Sequence, residues 1–367
     1  LSSTSGTMRP HPDLSGTAPK PTWLPIALGS LLRLVQIWMP VVGVHSWRQA
    51  DTAAMARHFS QAGTPIWLPQ IDWGGASAGF VESEFPLYPF LVSRLYSLIG
   101  VEEWLGRGLS VLCSALTIWL MMRLGRRWFS PEAGWWAGMA FAIAPLGVYY
   151  GRAFQAEALL VLCAAGALEA HSIWVERRKA WAVSLSWICF STAALIKVIP
   201  LLWLGLPLLL VQLTPSPLAK AESPQQILQR LLRLTLNPWF WVYASTALAV
   251  TSAWYLHAYQ LGEASGLTFG FWGEDSDRSN IGLALNLSSW VNLAIRTGLR
   301  ALVVAGVPLI VIGTMRSWRR GGGRIALGGV IGMLICTVAT MKSSTVHEYY
   351  QLPFLLFSSP LVGLGWQ

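Results

Sequence analysis

Apolar runs of roughly 15–22 residues recur along the whole chain, at about 23–44, 105–122, 135–150, 156–174, 181–197, 199–213, 239–257, 297–315, 325–341 and 353–367. About 20 apolar residues in a helix cross the hydrocarbon core of a bilayer, so each run is a candidate span. Composition agrees. Only 12% of the 367 residues are charged, against about 25% in a soluble domain. The 21 tryptophans suit a chain that meets two membrane–water interfaces. The expected fold class is all-α, a polytopic transmembrane helix bundle with about ten spanning helices. The net charge of +9 does not point to nucleic acid, because the basic residues are scattered between the apolar runs. Cys113, Cys163, Cys189 and Cys336 each sit singly inside an apolar run, in neither a disulfide framework nor a metal spacing. The stretch "PLYPFLVSRLYSLIG" (86–100), interrupted by Arg94, reads as an interfacial or partly inserted helix.

Orientation follows from the basic loops. Arg123, Arg126 and Arg127 lie in one, Arg177, Arg178 and Lys179 in the next, Lys220, Arg230 and Arg233 in a third, and Arg316, Arg319, Arg320 and Arg324 in a fourth. These loops alternate with the others, so all four fit one cytoplasmic side. Residues 1–22, rich in Ser, Thr and Pro, read as a disordered cytoplasmic tail. The membrane domain is then 23–367, and its last apolar run ends as if a C-terminal part were missing. The opposite side collects 12 of the 17 carboxylates. Its first loop, from about His45 to Glu103, is much longer than the later connections, and long ordered loops often carry function.

Five stretches on that side hold the chemistry. In "HSWRQADTAAMARHF" (45–59), Arg48, Asp51 and Met55 share a helical face. The plainer reading is a surface ion pair. The sharper one places Asp51 at the bilayer boundary, partly desolvated and tuned as a general base. In "ESEFPLYPF" (82–90), Glu82 and Glu84 at i and i+2 would face the same way in an extended chain and could share a metal. In "GRAFQAEALL" (151–160), Arg152 and Glu157 flank the start of a span, where a carboxylate also suits the helix dipole. Lys197 in "LIKVIP" either snorkels or binds a lipid phosphate. "MKSSTVHEYYQLPF" (341–354) joins Lys342, His347 and Glu348 to Tyr349 and Tyr350, for which interfacial anchoring is the plainer reading. Arg33 lies within the first run, where charge is costly; it pairs with another helix or reaches the headgroups.

In this order, these motifs resemble the membrane glycosyltransferases of the GT-C superfamily. The nearest branch is the family of the protein O-mannosyltransferases and the lipid A aminoarabinose transferase. The similarity covers about residues 30–360. It implies a multi-helix membrane bundle whose long first outer loop carries juxtamembrane helices. It also implies transfer of a sugar from a polyprenyl-phosphate carrier to a lipid, glycan or protein acceptor at the outer face, in a bacterial inner membrane. The family's acidic residue after the first span matches Asp51, its second acidic position matches Glu157, and its charged-then-proline element matches Glu84 with Pro86. This chain departs from relatives in having "RQAD", "QAE" and Glu84-Phe85-Pro86 where others have Asp-Glu, Asp and Glu-Lys-Pro.

The chemistry fits that implication. A polyprenyl phosphate is already a good leaving group, so the needs are a base for the acceptor hydroxyl and cations for the phosphate. Asp51 suits the base, with Glu84 and Glu157 as its catalytic partners. Arg48, Arg152, Lys197 and Lys342 are the phosphate candidates, and His347, Glu348 and Tyr350 complete the substrate-binding set. Whether a divalent ion takes part is open; Asp51, Glu157 and His347 are its candidate ligands. The alternatives are a transporter or flippase of a lipid-linked saccharide, with charges at mid-membrane in broken helices, and a non-catalytic scaffold. A site needs Asp51, Glu84, Glu157 and His347 together. Acceptor choice is expected to involve "GLTFGFWGEDSDRSN" (266–280).

Overall fold

The computed structural model describes residues 20–61, 63–214, 217–218, 223–269 and 281–367. Most of them lie in eighteen α-helices: α1 (Trp23–Leu34), α2 (Ser46–Gln61), α3 (Leu87–Ile99), α4 (Glu103–Trp128), α5 (Pro131–Ile143), α6 (Pro145–Tyr150), α7 (Glu157–Arg177), α8 (Ala180–Ile196), α9 (Pro200–Trp203), α10 (Gly205–Leu213), α11 (Pro224–Thr235), α12 (Pro238–Ser265), α13 (Ile281–Leu285), α14 (Leu287–Arg296), α15 (Gly306–Ser317), α16 (Gly321–Ala339), α17 (Met341–Val346) and α18 (Phe354–Trp366). Among the described residues, extended pairing is limited to two isolated bridges, Gln70 with Phe80 and Glu82 with Thr268. The expected tail up to residue 19, Lys220, and residues 270–280 of the expected acceptor loop lie outside the described residues.

The apolar runs become helices, but fewer of the described ones are long and apolar enough to span on their own than the expected ten. By length and composition three can cross a membrane alone: α4, α7 and α16. Leu287–Ala301 and Gly306–Ser317 pass the same test together, bent by 95°. The shortfall from about ten has a cause in the chain. Proline removes a helical N–H and pushes its predecessor out of the helical region. The run at 135–150 breaks at Pro145, that at 199–213 breaks ahead of Pro207, and the first stops at Leu34, short of Pro40.

The break at Pro145 explains Arg33. Proline cannot donate to the carbonyl of Phe141, and the turn leaves that of Ala142 open as well. Arg33, fully buried, donates to Ala142 O at 2.9 Å and to Phe141 O at 3.3 Å. It also donates to Gly29 O on its own helix. The intramembrane charge thus caps the end of α5. Arg107 and Arg152 do the same for the segment after α1. Arg107 donates to Gln36 O and Pro40 O, and Arg152 to Val35 O.

Helix α18 is buried along most of its length against α5 and α15. Glycine allows that approach. A Cβ at Gly363 would stand 2.2 Å from Ala133 O, and one at Gly313 would stand 1.9 Å from Leu361 O. Small residues let membrane helices meet this closely.

Two ends of the bundle differ in charge. Arg123 and Arg127 of α4 reach Glu169 of α7, and Lys20 reaches Glu132 at 2.6 Å. This gathers the basic loops with the tail end, as the loop pattern implies. At the other end α2 and α3 lie in the long first loop and pack together, with Phe59 edge-on to Phe90 at 5.6 Å. The long first loop thus carries helices, as expected.

Candidate active site

His45, with φ of 55°, turns the chain into α2. One turn of helix then presents Arg48 and Asp51, three residues apart, toward the loop before α3. That loop is fixed by its neighbours. Phe85 N–H donates to Leu195 O at the end of α8, and the Trp254 indole of α12 donates to Ser83 O at 3.2 Å. Between these anchors Glu84 meets Arg48 in an ion pair.

Arg48 also faces Glu157, the first residue of α7, at 3.8 Å. Glu157 is 1% exposed and takes a 2.8 Å hydrogen bond from Lys197, which is 5% exposed, on the same oxygen. Its other oxygen, Oε2, is buried with no hydrogen-bond partner among the described residues. Lys197 holds its place because α8 ends at Ile196 and the chain there is extended before Pro200. Its ammonium sits 4.3 Å from the ring of Tyr349 and 5.0 Å from that of Tyr350, while the Arg48 guanidinium lies 5.5 Å from Tyr349. Each such contact is worth about 0.5–2 kcal/mol, more when desolvated. His347 stacks on Tyr349 with centroids 5.2 Å apart, and His45 stands edge-on to His347 at 5.1 Å. Two cations, two carboxylates and an aromatic floor thus meet where α2, α7, α8 and the turn before α18 converge.

Asp51 completes a cleft lined by Arg48, Thr52, Met55, Ser83, Glu84, Phe85, Pro86, Pro89, Ala156 and Phe269. Burial pushes its carboxyl above the usual value, and Asp72 adds to the rise. The neighbouring Trp73 indole and Arg48 oppose it. Burial and the nearby cations hold His347 down at about 4, so it is neutral at neutral pH. The Tyr349 phenol is pushed up to about 12 by burial.

Of the residues singled out in sequence, Arg48, Asp51, Glu84, Glu157, Lys197, His347 and Tyr350 come together. Glu348 stands beside them, paired with Arg300. Arg152 does not join them, because it serves the Val35 carbonyl. Lys342 is exposed on α17, away from these contacts. Glu82 does not act with Glu84: its bridge to Thr268 and its side-chain bond to the Thr268 hydroxyl turn it toward α12. Among the described residues no three His, Cys, Asp or Glu side chains converge as a metal group. Asp51, Glu157 and His347 do not form such a group, and Glu157 Oε1 is taken by Lys197 and Arg48. Sequence reasoning passed over Tyr349 as an interfacial anchor and named Phe269 only within the expected acceptor loop. A tyrosine pair carries no mark that says which ring will lie under two cations.

The family model described as dolichyl-phosphate-mannose-protein mannosyltransferase matches residues 83–257. A sequence comparison with curated proteins gives no match. Among solved structures, ArnT from Cupriavidus metallidurans bound to undecaprenyl phosphate is 17% identical with a TM-score of 0.64, over 93% of this chain and 59% of that one. The apo form of ArnT gives a TM-score of 0.60 at 16% identity, covering 93% of this chain and 58% of its own. The archaeal oligosaccharyltransferase AglB from Archaeoglobus fulgidus, in complex with an inhibitory peptide and a dolichol-phosphate, gives 0.54 at 13% identity, covering 93% of this chain and 49% of that chain. The chain therefore spans about three fifths of ArnT and about half of AglB. Across 93% of its length this chain shares the fold of these solved structures.

Proposed function

We propose that the protein is an integral membrane glycosyltransferase. It moves a sugar from a polyprenyl-phosphate carrier to an acceptor hydroxyl at the outer face of a bacterial inner membrane, with inversion at the anomeric carbon. The observation that carries this reading is the pairing of Arg48 and Lys197 around Glu157, over Tyr349, beside the partly buried Asp51. Solved relatives hold polyprenyl phosphates, undecaprenyl phosphate in ArnT and dolichol-phosphate in AglB, which supports the same carrier class here.

Each group has a role in a direct displacement. The donor phosphate exchanges with the carboxylates around Arg48 and Lys197. Asp51 takes the proton of the acceptor hydroxyl as its oxygen attacks the anomeric carbon. The bond from that carbon to the phosphate oxygen breaks, and its electron pair leaves with the phosphate. Arg48 and Lys197 stabilise the added charge. Glu84 and Glu157 hold the two cations in register and orient sugar hydroxyls, with His347 and Tyr350 at the wall. The proton leaves Asp51 to solvent, and polyprenyl phosphate and glycosylated acceptor are released. The donor phosphate must be reached from a bilayer, which suits a cleft at the end of an apolar bundle.

The bent pair of α14 and α15 favours a second reading, a flippase of a lipid-linked saccharide, since transporters use broken helices. Against it, the polar side chains inside the long spans have structural partners. Glu169 is held by two arginines, and His171 lies between Ser186 at 3.1 Å and Gln212 at 2.9 Å. A transfer assay in membranes with a panel of labelled polyprenyl-phosphate sugars tests both. The enzyme reading expects acceptor labelling with inverted configuration, abolished by Asp51→Asn. Carrier translocation without transfer supports the flippase instead.

A further inference from the structure

A second cavity lies on the far side of Glu348 and shares no lining residue with the Asp51 cleft. Its volume is about 370 Å³, within the usual range of about 300–1,000 Å³ for a small-molecule site. Ser289, Asn292, Ile295 and Arg296 of α14 form one wall, continued by Leu299 and Arg300 of the π-helical turn Thr297–Ala301. Positions 289, 292, 296 and 300 recur at steps of three and four, the spacing of one helix face. That face brings a hydroxyl, an amide and two guanidinium groups to the wall. No carboxylate belongs to the lining.

The arginines are held in place without being spent. Arg296 donates to Ser344 O at 3.2 Å and to Thr345 O at 2.7 Å, at the end of α17. Carbonyl dipoles fix the guanidinium and leave its formal charge unbalanced. Arg300 pairs with Glu348, but its side chain is 55% exposed, and a pair so wet is given up for another anion at little cost. The backbone that carries them is strained. Val303 and Val304, just past the turn, both have φ of 55°, a left-handed conformation that β-branched residues resist. Between Leu287–Ala301 and Gly306–Ser317 the chain bends by 95°. π-helical turns and strained residues gather where a chain has a site to build. Arg296 alone would read as a tie between α14 and α17. A second arginine on the same face, with Ser289 and Asn292 below it, makes a cradle for an oxyanion.

We propose that this cavity binds a phosphate group, with Arg296 and Arg300 as its cationic ligands, and that the phosphate displaces Glu348 from Arg300. Two planar guanidinium forks suit the several oxygens of a phosphate better than they suit a single carboxylate. Ser289 and Asn292 offer further donors. Ile295 and Leu299, 54% and 55% exposed, stand beside the arginines and would hold the chain of a lipid whose headgroup brings the phosphate. A free phosphate needs only the polar face, and the two sources are separated below. The site stands apart from Arg48 and Lys197, and its existence does not depend on Asp51 being a base.

The test is a calorimetric titration of the purified full chain in non-ionic detergent with three probes: dihexanoyl phosphatidic acid, dihexanoyl phosphatidylcholine and inorganic phosphate. Arg300→Gln should weaken phosphatidic acid binding about tenfold or more, the size of a charge-assisted hydrogen bond. Glu348→Gln should act in the opposite direction and tighten it about twofold to fivefold, the worth of the exposed pair that no longer competes. Lys197→Gln should leave this binding native. Phosphatidic acid binding without inorganic phosphate binding supports the lipid headgroup as the source, and equal binding of both supports the phosphate group alone. Native affinity in Arg300→Gln overturns the site, as does loss of all binding in Lys197→Gln, which would put every phosphate at the other cluster. Unchanged or weaker binding in Glu348→Gln overturns the exchange at Arg300. Phosphatidylcholine binding as tightly as phosphatidic acid would make the cavity an apolar groove and overturn its choice of an anion.

Discussion

Helix α7 carries two buried carboxylates, twelve residues apart, and each faces two cations. Glu169 accepts from Arg123 and Arg127 on both of its oxygens, at 2.7–3.1 Å. Glu157, about 18 Å away by helical rise, has Lys197 and Arg48 on Oε1, while Oε2 is buried without a hydrogen-bond partner among the described residues. The first cluster is closed: four donor contacts fill one carboxylate, with Glu176 sharing Arg127. The second is open, and its cations lie against tyrosine rings that supply no formal charge. The same helix thus ends in a fastening on one side and a receptive site on the other. A buried charge pair is by itself weak evidence of either role; the unfilled acceptor and the adjoining cleft decide.

The comparison breaks first at Asp51. Asp51→Asn should lower kcat by about 10²–10⁴-fold, the range of general-base catalysis, while the purified protein keeps its thermal unfolding midpoint. Native-like transfer would remove chemistry from the open end. Next comes Lys197→Gln, which deletes a cation at the open end. Loss of a group that stabilises developing charge costs about 10²–10³-fold, here read in kcat with donor at saturation. A change confined to KM for the donor would make Lys197 a binding residue only.

At the closed end the expected effect is on stability. Glu169→Gln leaves two arginines without their partner. Removing one member of a buried pair costs about 3–5 kcal/mol, but Arg123 is 41% exposed and can turn to solvent, so about 1–3 kcal/mol is expected. Thermal unfolding in detergent should show the drop, while transfer per folded molecule stays native. A variant that unfolds normally and transfers poorly would put function at the wrong end of α7.

How much of this contrast is legible in the chain depends on range. The apolar runs, the side on which acids gather and the order of motifs are local patterns, and they lead to a helical bundle and to the end of it where Arg48, Asp51, Glu84, Glu157 and Lys197 meet. Asp51, Glu84, Glu157 and Lys197 stand out because a charge next to a long apolar run is conspicuous. Arg33 is conspicuous for the same reason, yet its use depends on Pro145, more than a hundred residues away, whose missing N–H leaves the carbonyls it caps. Arg152 has the right type and place for a phosphate ligand. Its partner is the Val35 carbonyl, freed because α1 stops at Leu34 inside an apolar run that looks continuous. Tyr349 is an ordinary interfacial aromatic by sequence; the partner that gives it meaning, Lys197, arrives only through the tertiary fold.

The smallest expected effect is the pH dependence of the native protein. Burial sets the Asp51 pKa above its ordinary value of 3.8. The base is active when ionised, so kcat/KM is fully present above that raised value and is lost as pH falls through it. The limb should therefore lie higher than that of an ordinary carboxylate. His347 is the competing origin. Held at about 4 by burial and by His45, Arg48 and Lys197, it gains charge only as pH falls through that value, and a new cation beside Lys197 would also slow transfer. His347→Gln separates the two. If the limb keeps its position in that variant, Asp51 sets it; if the limb disappears, the imidazole does. No alkaline limb from Tyr349 is expected in the working range, because its phenol is pushed up to about 12. An alkaline loss near pH 10 that Tyr349→Phe abolishes would mean that the tyrosine is wetter, and the open end of α7 less enclosed, than its contacts with Arg48 and Lys197 imply.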